Sequence, residues 1–119
     1  MPIIRPLAEI DLPQAQRIVR TAFGTLFGVP DLDRFWTDRD YAHGRFAAEH
    51  VEAFGAEEDG VLVGSNFATR WGSVGFFGPI SIRPELWDRG LAQPLVAAVS
   101  ETFEAWGVSH YLLKPRATV

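Results

Sequence analysis

The stretch from residue 80 to residue 92 decides the fold, and it reads Ile80-Ser81-Ile82-Arg83-Pro84-Glu85-Leu86-Trp87-Asp88-Arg89-Gly90-Leu91-Ala92. The isoleucines at its start favour a strand, and the apolar residues that follow it recur at helical spacing. The segment therefore predicts a turn that leads from a strand into a helix. Such a turn leaves backbone N–H groups unpaired at the positive end of the helix dipole, where a phosphate or pyrophosphate can bind.

One glycine and two arginines within this turn favour an anion site. Gly90 has no Cβ and lets the backbone approach an anion closely, and Arg83 and Arg89 place positive charge on either side. Any turn from a strand into a helix also favours proline and glycine. On these residues alone, an ordinary turn and an anion site both remain open.

A long helix and a last strand are predicted after the turn. One stripe of side chains recurs at three and four residues and ends before Gly107, a suitable C-cap: Leu91, Leu95, Ala98, Val99, Thr102 and Trp106. Pro94 is expected to remove one early helical hydrogen bond, so the helix begins as late as about Gly90 or its first turn is loosened. The apolar run 108–113 then returns as a strand parallel to the strand of residues 74–83.

Three antiparallel strands are predicted before the turn. Apolar and polar residues alternate from Val51 to Glu58, and Asp59-Gly60 separates them from a second apolar run that ends at Trp71. An Asp-Gly pair between two such runs is a strong hairpin signal. A second reversal at Trp71-Gly72-Ser73 leads into residues 74–83. Glycines 72, 75 and 78 are interpreted as turn and bulge positions of this meander.

The first fifty residues predict an edge strand and two helices. Residues 2–7 contain the β-branched Ile3 and Ile4 and are bracketed by prolines, which suits a strand near a sheet edge. Asp11-Leu12-Pro13-Gln14 predicts an N-cap with a capping box, and the apolar stripe after it predicts a helix that Gly24 ends. The segment from Gly28 onward predicts a loop, with a short helix around residues 40–49.

Composition limits the classes of function. The chain has 119 residues, which is room for one domain. Its formal net charge of −4 and the absence of cysteine argue against nucleic acid, anionic membrane surfaces, thiolate zinc sites and a cysteine nucleophile. No apolar run of membrane-spanning length and no signal-peptide layout are present, so a cytoplasmic protein is expected.

Ile82-Arg83-Pro84 followed by Trp87-Asp88-Arg89-Gly90-Leu91-Ala92 resembles the acyl-CoA signature of the GNAT superfamily of N-acetyltransferases. In that signature a strand ends in a hydrophobic-x-Pro sequence, and Gln/Arg-x-x-Gly-x-Gly/Ala opens a long helix. The predicted order of elements is also that of the family. The resemblance implies an α+β, GNAT-like acyl-CoA N-acyltransferase fold over residues 1–119, with a mixed, mostly antiparallel sheet flanked by helices.

The resemblance also implies a reaction and a cofactor site. Acetyl-CoA would be the co-substrate, and its acetyl group would pass directly to a small-molecule or peptide amine. The main chain of Ile80, Ser81 and Ile82 would pair with the pantetheine arm, and the Ile82 N–H would polarise the thioester carbonyl. The pyrophosphate would bind at Trp87, Asp88, Arg89, Gly90, Leu91 and Ala92. Trp87 stands where the family has Gln or Arg, so the backbone would supply the contacts there.

The C-terminal part departs from the family. GNAT folds usually continue past the fifth strand with a helix and two further strands, a region that commonly supplies a tyrosine as general acid. Here the sequence ends with Lys114–Val119, so a fold shortened after about residue 113 is expected. An unpaired fifth strand would favour a homodimer. A non-catalytic GNAT-like module that binds CoA or associates through this edge is the alternative to an enzyme, and a fragment boundary or a frame change is a third interpretation.

No catalytic residue can be assigned from the sequence. Glu57, Glu58 and Glu85 are candidates for a general base, although acidic residues at turns are usually solvated. Tyr111 is expected to be a packed ring. The histidines at positions 43, 50 and 110 have no metal-ligand spacing, so no metal is expected. Arg70 and Trp71 are candidates for contacts with the acceptor.

Overall fold

The protein folds as a mixed sheet with helices on both faces. The computed structural model describes residues 2–37, 40–48, 51–108 and 110–113. The elements in chain order are β1 (Ile3–Pro6), α1 (Leu12–Phe27), α2 (Tyr41–Ala47), β2 (Val51–Glu58), β3 (Val61–Trp71), β4 (Val74–Phe77), β5 (Ser81–Ile82), α3 (Ala92–Trp106) and β6 (His110–Leu113). The sheet order is β1-β2-β3-β4-β6, with β5 paired to β3. Only the β4–β6 pairing is parallel among these pairs, which confirms the predicted mixed, mostly antiparallel sheet.

The helices lie on opposite faces of this sheet because alternate residues of a strand point to opposite sides. Phe67 packs with Leu12 and Ile18 of α1, whereas its neighbour Ala68 packs with Val99 and Phe103 of α3. Helix α2 joins the α1 side through Ala42. The two cores are therefore separated by the sheet, and β3 contributes to both.

The predicted hairpin and edge strand are confirmed. Asp59 and Gly60 both have positive φ angles, 54° and 79°, which is the backbone of a type I′ turn that matches the twist of the strands. Strand β1 pairs only with β2 among the described strands. It thus lies at the sheet edge, as its flanking prolines predicted.

The single strand predicted over residues 74–83 is wrong, because it is divided into β4 and β5. The cis Gly78–Pro79 peptide lies between them, and Pro79 has no N–H to donate to the ladder. The pairing with β3 also shifts by one residue: Phe77 lies opposite Ala68, whereas Ser81 lies opposite Ser65. Gly75 is not a turn or bulge residue either, since it lies inside β4.

The predicted start of α1 is confirmed in position, because Asp11 is the N-cap residue and Pro13 lies in the first turn. The predicted capping bond and the predicted end at Gly24 are wrong. Asp11 forms no side-chain cap, because its carboxylate is bonded to Arg5 and to the Ala8 N–H. The helix also continues through Gly24 and ends at Gly28, which adopts the left-handed conformation with φ 71°. Gly24 instead makes room for the following loop, since a Cβ there would lie 2.5 Å from Leu32 Cδ2.

Pro94 is accommodated by a late start of α3, the first of the two predicted alternatives. The helix begins at Ala92, so Pro94 is its third residue. The first N–H groups of a helix have no partner inside the helix, and the missing N–H of Pro94 therefore removes no hydrogen bond. The predicted C-cap is confirmed, because Gly107 is left-handed with φ 69°.

Candidate functional site

The turn between β5 and α3 leaves a series of amides open. One turn of 3-10 helix covers Pro84–Leu86, and its N–H groups at Leu86 and Trp87 bond back to Arg83 and Pro84. Beyond it, the N–H groups of residues 88–90 have no hydrogen-bond partner among the residues that the structure describes. Gly90 has φ 74° and a Cβ there would meet no atom within 4 Å. The turn thus presents free donors beside open space at the start of α3.

A pocket of about 380 Å³ opens at this turn and is called the turn pocket below. Its lining residues are Leu26, Ile82, Leu86, Trp87, Asp88, Gly90, Leu91 and Ala92. Ile82 and the residues from 87 to 92 other than Arg89 were predicted from the sequence. Ile80 and Ser81 are fully buried in the sheet, and Arg89 is exposed outside the lining.

Ile82 directs its backbone polar groups away from β3. The Arg83 N–H donates to the Val63 carbonyl oxygen over 2.9 Å, and hydrogen-bonded and non-hydrogen-bonded pairs alternate along an antiparallel ladder. The adjacent pair of Gly64 and Ile82 is therefore a non-hydrogen-bonded pair. The N–H and C=O of Ile82 consequently point to the free side of β5, and Ile82 lines the turn pocket.

Trp87 forms one wall of the turn pocket without filling it. Its indole Nε1 donates to the Ile82 carbonyl oxygen over 2.9 Å. The half-buried ring packs against the β5–α3 core that contains Ile82 and Leu91, and also against Phe23 of α1. The indole therefore ties the end of β5 to α1.

The comparisons with known proteins identify the family. A sequence model described as Acetyltransferase (GNAT) family matches residues 12–118. The chain belongs to the GNAT acetyltransferase family. This confirms the resemblance inferred from residues 82–92, together with the fold that it implied. No protein with a curated function matches the sequence.

Solved GNAT structures share this fold at low identity. The PaiA N-acetyltransferase of Thermoplasma acidophilum, solved with coenzyme A, is 14% identical with a TM-score of 0.76, over 91% of this chain and 75% of that one. The ribosomal-protein-S18-alanine N-acetyltransferase of Escherichia coli is 19% identical with a TM-score of 0.73, over 95% and 66%. The aminoglycoside N-acetyltransferase AAC(6′)-Iy, solved with CoA-S-monomethyl-acetylneamine, is 22% identical with a TM-score of 0.64, over 97% and 80%.

Arg83 of this GNAT chain does not face the turn pocket. Its Nε donates to the Leu62 carbonyl oxygen over 3.0 Å, and Nη1 lies 4.0 Å from the Glu85 carboxylate. Arg83 and Glu85 line a separate pocket of about 80 Å³ against α1. Two arginines were predicted to place positive charge beside the turn. Arg83 is instead hydrogen-bonded to β3, and Arg89 is exposed.

The candidate bases are dispersed. Glu57 accepts a hydrogen bond from Arg5 over 3.0 Å at the β1 edge, and Glu58 ends β2 at the hairpin. Glu85 is exposed beside Arg83. Arg70 lies over the Trp106 ring, 5.9 Å from its centroid. The side chains of Trp71 and Tyr111, and all of His50, lie outside what the structure describes.

Two pocket residues were missed by sequence reasoning. Leu26 continues the apolar stripe of α1, three residues after Phe23, and was lost because the helix was predicted to end at Gly24. Leu86 gave no signal, since a leucine in a turn is not unusual. Next to Leu26 lies an aromatic cluster made by Phe23, Phe27, Phe35 and Trp36, in which the last two rings stack 4.5 Å apart.

Neither a metal site nor a membrane span is found in the described residues. No three His, Asp or Glu side chains lie together there as metal ligands would. No helix in the same part of the chain combines the length and apolarity needed to cross a membrane.

Proposed function

We propose that this GNAT chain binds acetyl-CoA in the turn pocket and transfers the acetyl group directly to an amine. The observation that carries the proposal is the meeting of two kinds of donor in one pocket. The outward N–H of Ile82 suits a thioester carbonyl, and the open amides of residues 88–90 suit a pyrophosphate at a helix start. An acyl-CoA carries both acceptors on one molecule.

The lining of the pocket also fits the pantetheine arm and the phosphates of acetyl-CoA. Leu26, Leu86 and Leu91 give the pocket apolar walls for the pantetheine arm. The space beside Gly90, where a Cβ would meet no atom within 4 Å, admits a phosphate against the backbone. Ser81 lies opposite Ser65 on the hydrogen-bonded side of the ladder, so Ile82 rather than Ser81 offers outward groups to the arm. Bound acetyl-CoA supplies an activated acetyl thioester.

The reaction is a direct displacement at the thioester carbon. The amine nitrogen forms the new C–N bond, the C–S bond breaks, the amine loses a proton and the CoA thiolate gains one. The Ile82 N–H stabilises the negative charge that develops on the carbonyl oxygen. No side chain is assigned to either proton transfer, because the candidate glutamates are dispersed or exposed.

The acceptor is proposed to be a small-molecule or peptide amine. The names of the similar structures refer to acceptors as different as a ribosomal-protein alanine and an aminoglycoside, so they indicate no single class of acceptor. In this chain the aromatic cluster adjoins the turn pocket through Trp87, which lines the pocket and packs on the buried cluster that contains Phe23. The homodimer and the cytoplasmic location remain predictions.

Calorimetric titration with CoA and acetyl-CoA, followed by thiol release against a panel of amines, tests the proposal. We expect binding of both nucleotides and release of CoA with at least one amine. Binding without release from any amine would instead support the non-catalytic CoA-binding module. Absence of binding by the folded chain would overturn both functions.

A further inference from the structure

Trp87 holds a backbone group that borders the proposed reaction centre. The Ile82–Arg83 peptide unit is bonded on both of its sides: the Arg83 N–H donates to Val63 on β3 over 2.9 Å, and the Ile82 oxygen accepts from the Trp87 indole over 2.9 Å. A peptide unit is planar, so the two opposed bonds fix its rotation. The adjoining N–H of Ile82 is the donor assigned above to the thioester carbonyl.

The indole itself has little freedom. Its ring packs against two buried clusters, one of Val19, Ala22 and Phe23 and one that contains Ile82 and Leu91. A hydrogen-bond donor that packing already holds in place needs no reorganisation when charge develops in the transition state, so it stabilises that charge more than a mobile donor does. Trp87 thus combines a fixed ring with a hydrogen bond to the strand end.

We propose that Trp87 is a positioning residue that fixes the end of β5 so that the Ile82 N–H stays aimed at the thioester carbonyl. The inference rests on the proposed function. It also assigns a use to the position where the family signature has Gln or Arg. The indole engages one of the two lone pairs of the Ile82 oxygen, and the Ile82 N–H is the donor that the strand end offers to an acceptor oxygen.

Two substitutions separate the hydrogen bond from the ring. Trp87→Phe keeps an aromatic ring and removes the N–H, whereas Trp87→Gln removes the ring and retains an N–H donor. We expect W87F to lower kcat about fivefold to tenfold, with KM for acetyl-CoA and Kd for CoA within about twofold, because a positioning group acts mainly in the transition state. We expect W87Q to retain a higher kcat than W87F.

Trp106→Phe is the matched control, because Trp106 is also a half-buried tryptophan but packs with Phe103 and does not line the turn pocket. Its kcat should equal that of the wild type. Proton exchange at the Trp87 indole provides a second measurement that needs no variant: the hydrogen-bonded Nε1–H should exchange more slowly than an exposed indole.

Equal kcat values for W87F and the wild type would overturn the positioning role alone, as would equal losses in W87F and W87Q or fast exchange at the Trp87 indole. A wild-type chain that binds no CoA would overturn the proposed function and this inference with it. The titration of the wild-type chain thus distinguishes the two failures.

Discussion

The ring of Phe103 lies directly on the backbone of Gly75, where a Cβ would stand 2.9 Å from ring atom Cε1. Gly75 is inside β4, and Phe103 is a fully buried residue of α3. The contact brings the helix close to the sheet. Because Phe103 has no room to yield in a close-packed core, we expect Gly75→Ala to destabilise the protein by about 1–3 kcal/mol in urea unfolding.

Gly44→Ala is the control for this substitution. Gly44 lies in α2, and a Cβ there would meet nothing within 4 Å. Alanine is favoured over glycine inside a helix, so G44A should stabilise the protein by about 0.5–1 kcal/mol. A G75A protein as stable as the wild type would contradict the close contact between helix and sheet.

Gly90→Val tests the anion site in the turn. The side chain would enter the open space beside the amides of residues 88–90 and displace the phosphate, so CoA affinity should fall by roughly 1–3 kcal/mol. Positive φ angles strain valine as well. Gly60→Val is the control, because Gly60 at the hairpin has φ 79° and an equally open surrounding. The G60V protein should be destabilised to a similar degree and should bind CoA with wild-type affinity. Wild-type affinity in folded G90V would remove the site from this turn.

Leu26→Glu tests whether the end of α1 borders the bound donor. Leu26 lines the turn pocket, and a carboxylate there would repel the phosphates, so we expect CoA affinity to fall about fivefold, and less at high salt. Ile10→Glu is the control, because it introduces the same charge at a residue that is 87% exposed and should leave the CoA affinity unchanged. Equal affinities in both variants would place the donor away from Leu26.

The order of the elements could be predicted because its signals are local. The Asp59-Gly60 turn, the stripe of α3 and the Gly107 cap each act within a few residues. The phosphate-binding turn was predictable for the same reason, because a strand, a glycine and a helix start follow one another in the chain.

The errors arose where a side-chain contact outside the regular helix and strand patterns decides the local structure, even between residues that are close in the chain. Asp11 reads as a helix cap, but Arg5 and the Ala8 N–H occupy its carboxylate. Gly24 reads as a helix end, but it receives Leu32 of the following loop. Trp87 reads as a departure from the family signature, and its bond to Ile82 becomes visible only when the strand end and the turn are folded together. Such contacts have no spacing in the sequence that would predict them.

The ion pair between Arg5 and Asp11 should make stability depend on acid pH. Arg5 binds both carboxylate oxygens of Asp11 over 2.7 and 3.0 Å, and this hydrogen bonding holds the pKa of Asp11 below its usual value. A carboxyl group whose pKa is lowered by folding stabilises the protein above its unfolded pKa, and this contribution is lost as the pH falls through the folded pKa. We therefore expect Asp11→Asn to cost about 1–3 kcal/mol at neutral pH.

The difference between wild type and D11N should shrink as the pH falls below the unfolded pKa of about 3.9, as measured by urea unfolding at several pH values. Asp33→Asn is the control, because Asp33 is an exposed residue of the loop after α1; it should change stability by less than about 0.5 kcal/mol. A D11N deficit that stayed constant through this pH range would contradict the role of the ionised carboxylate, since a loss of packing alone does not titrate.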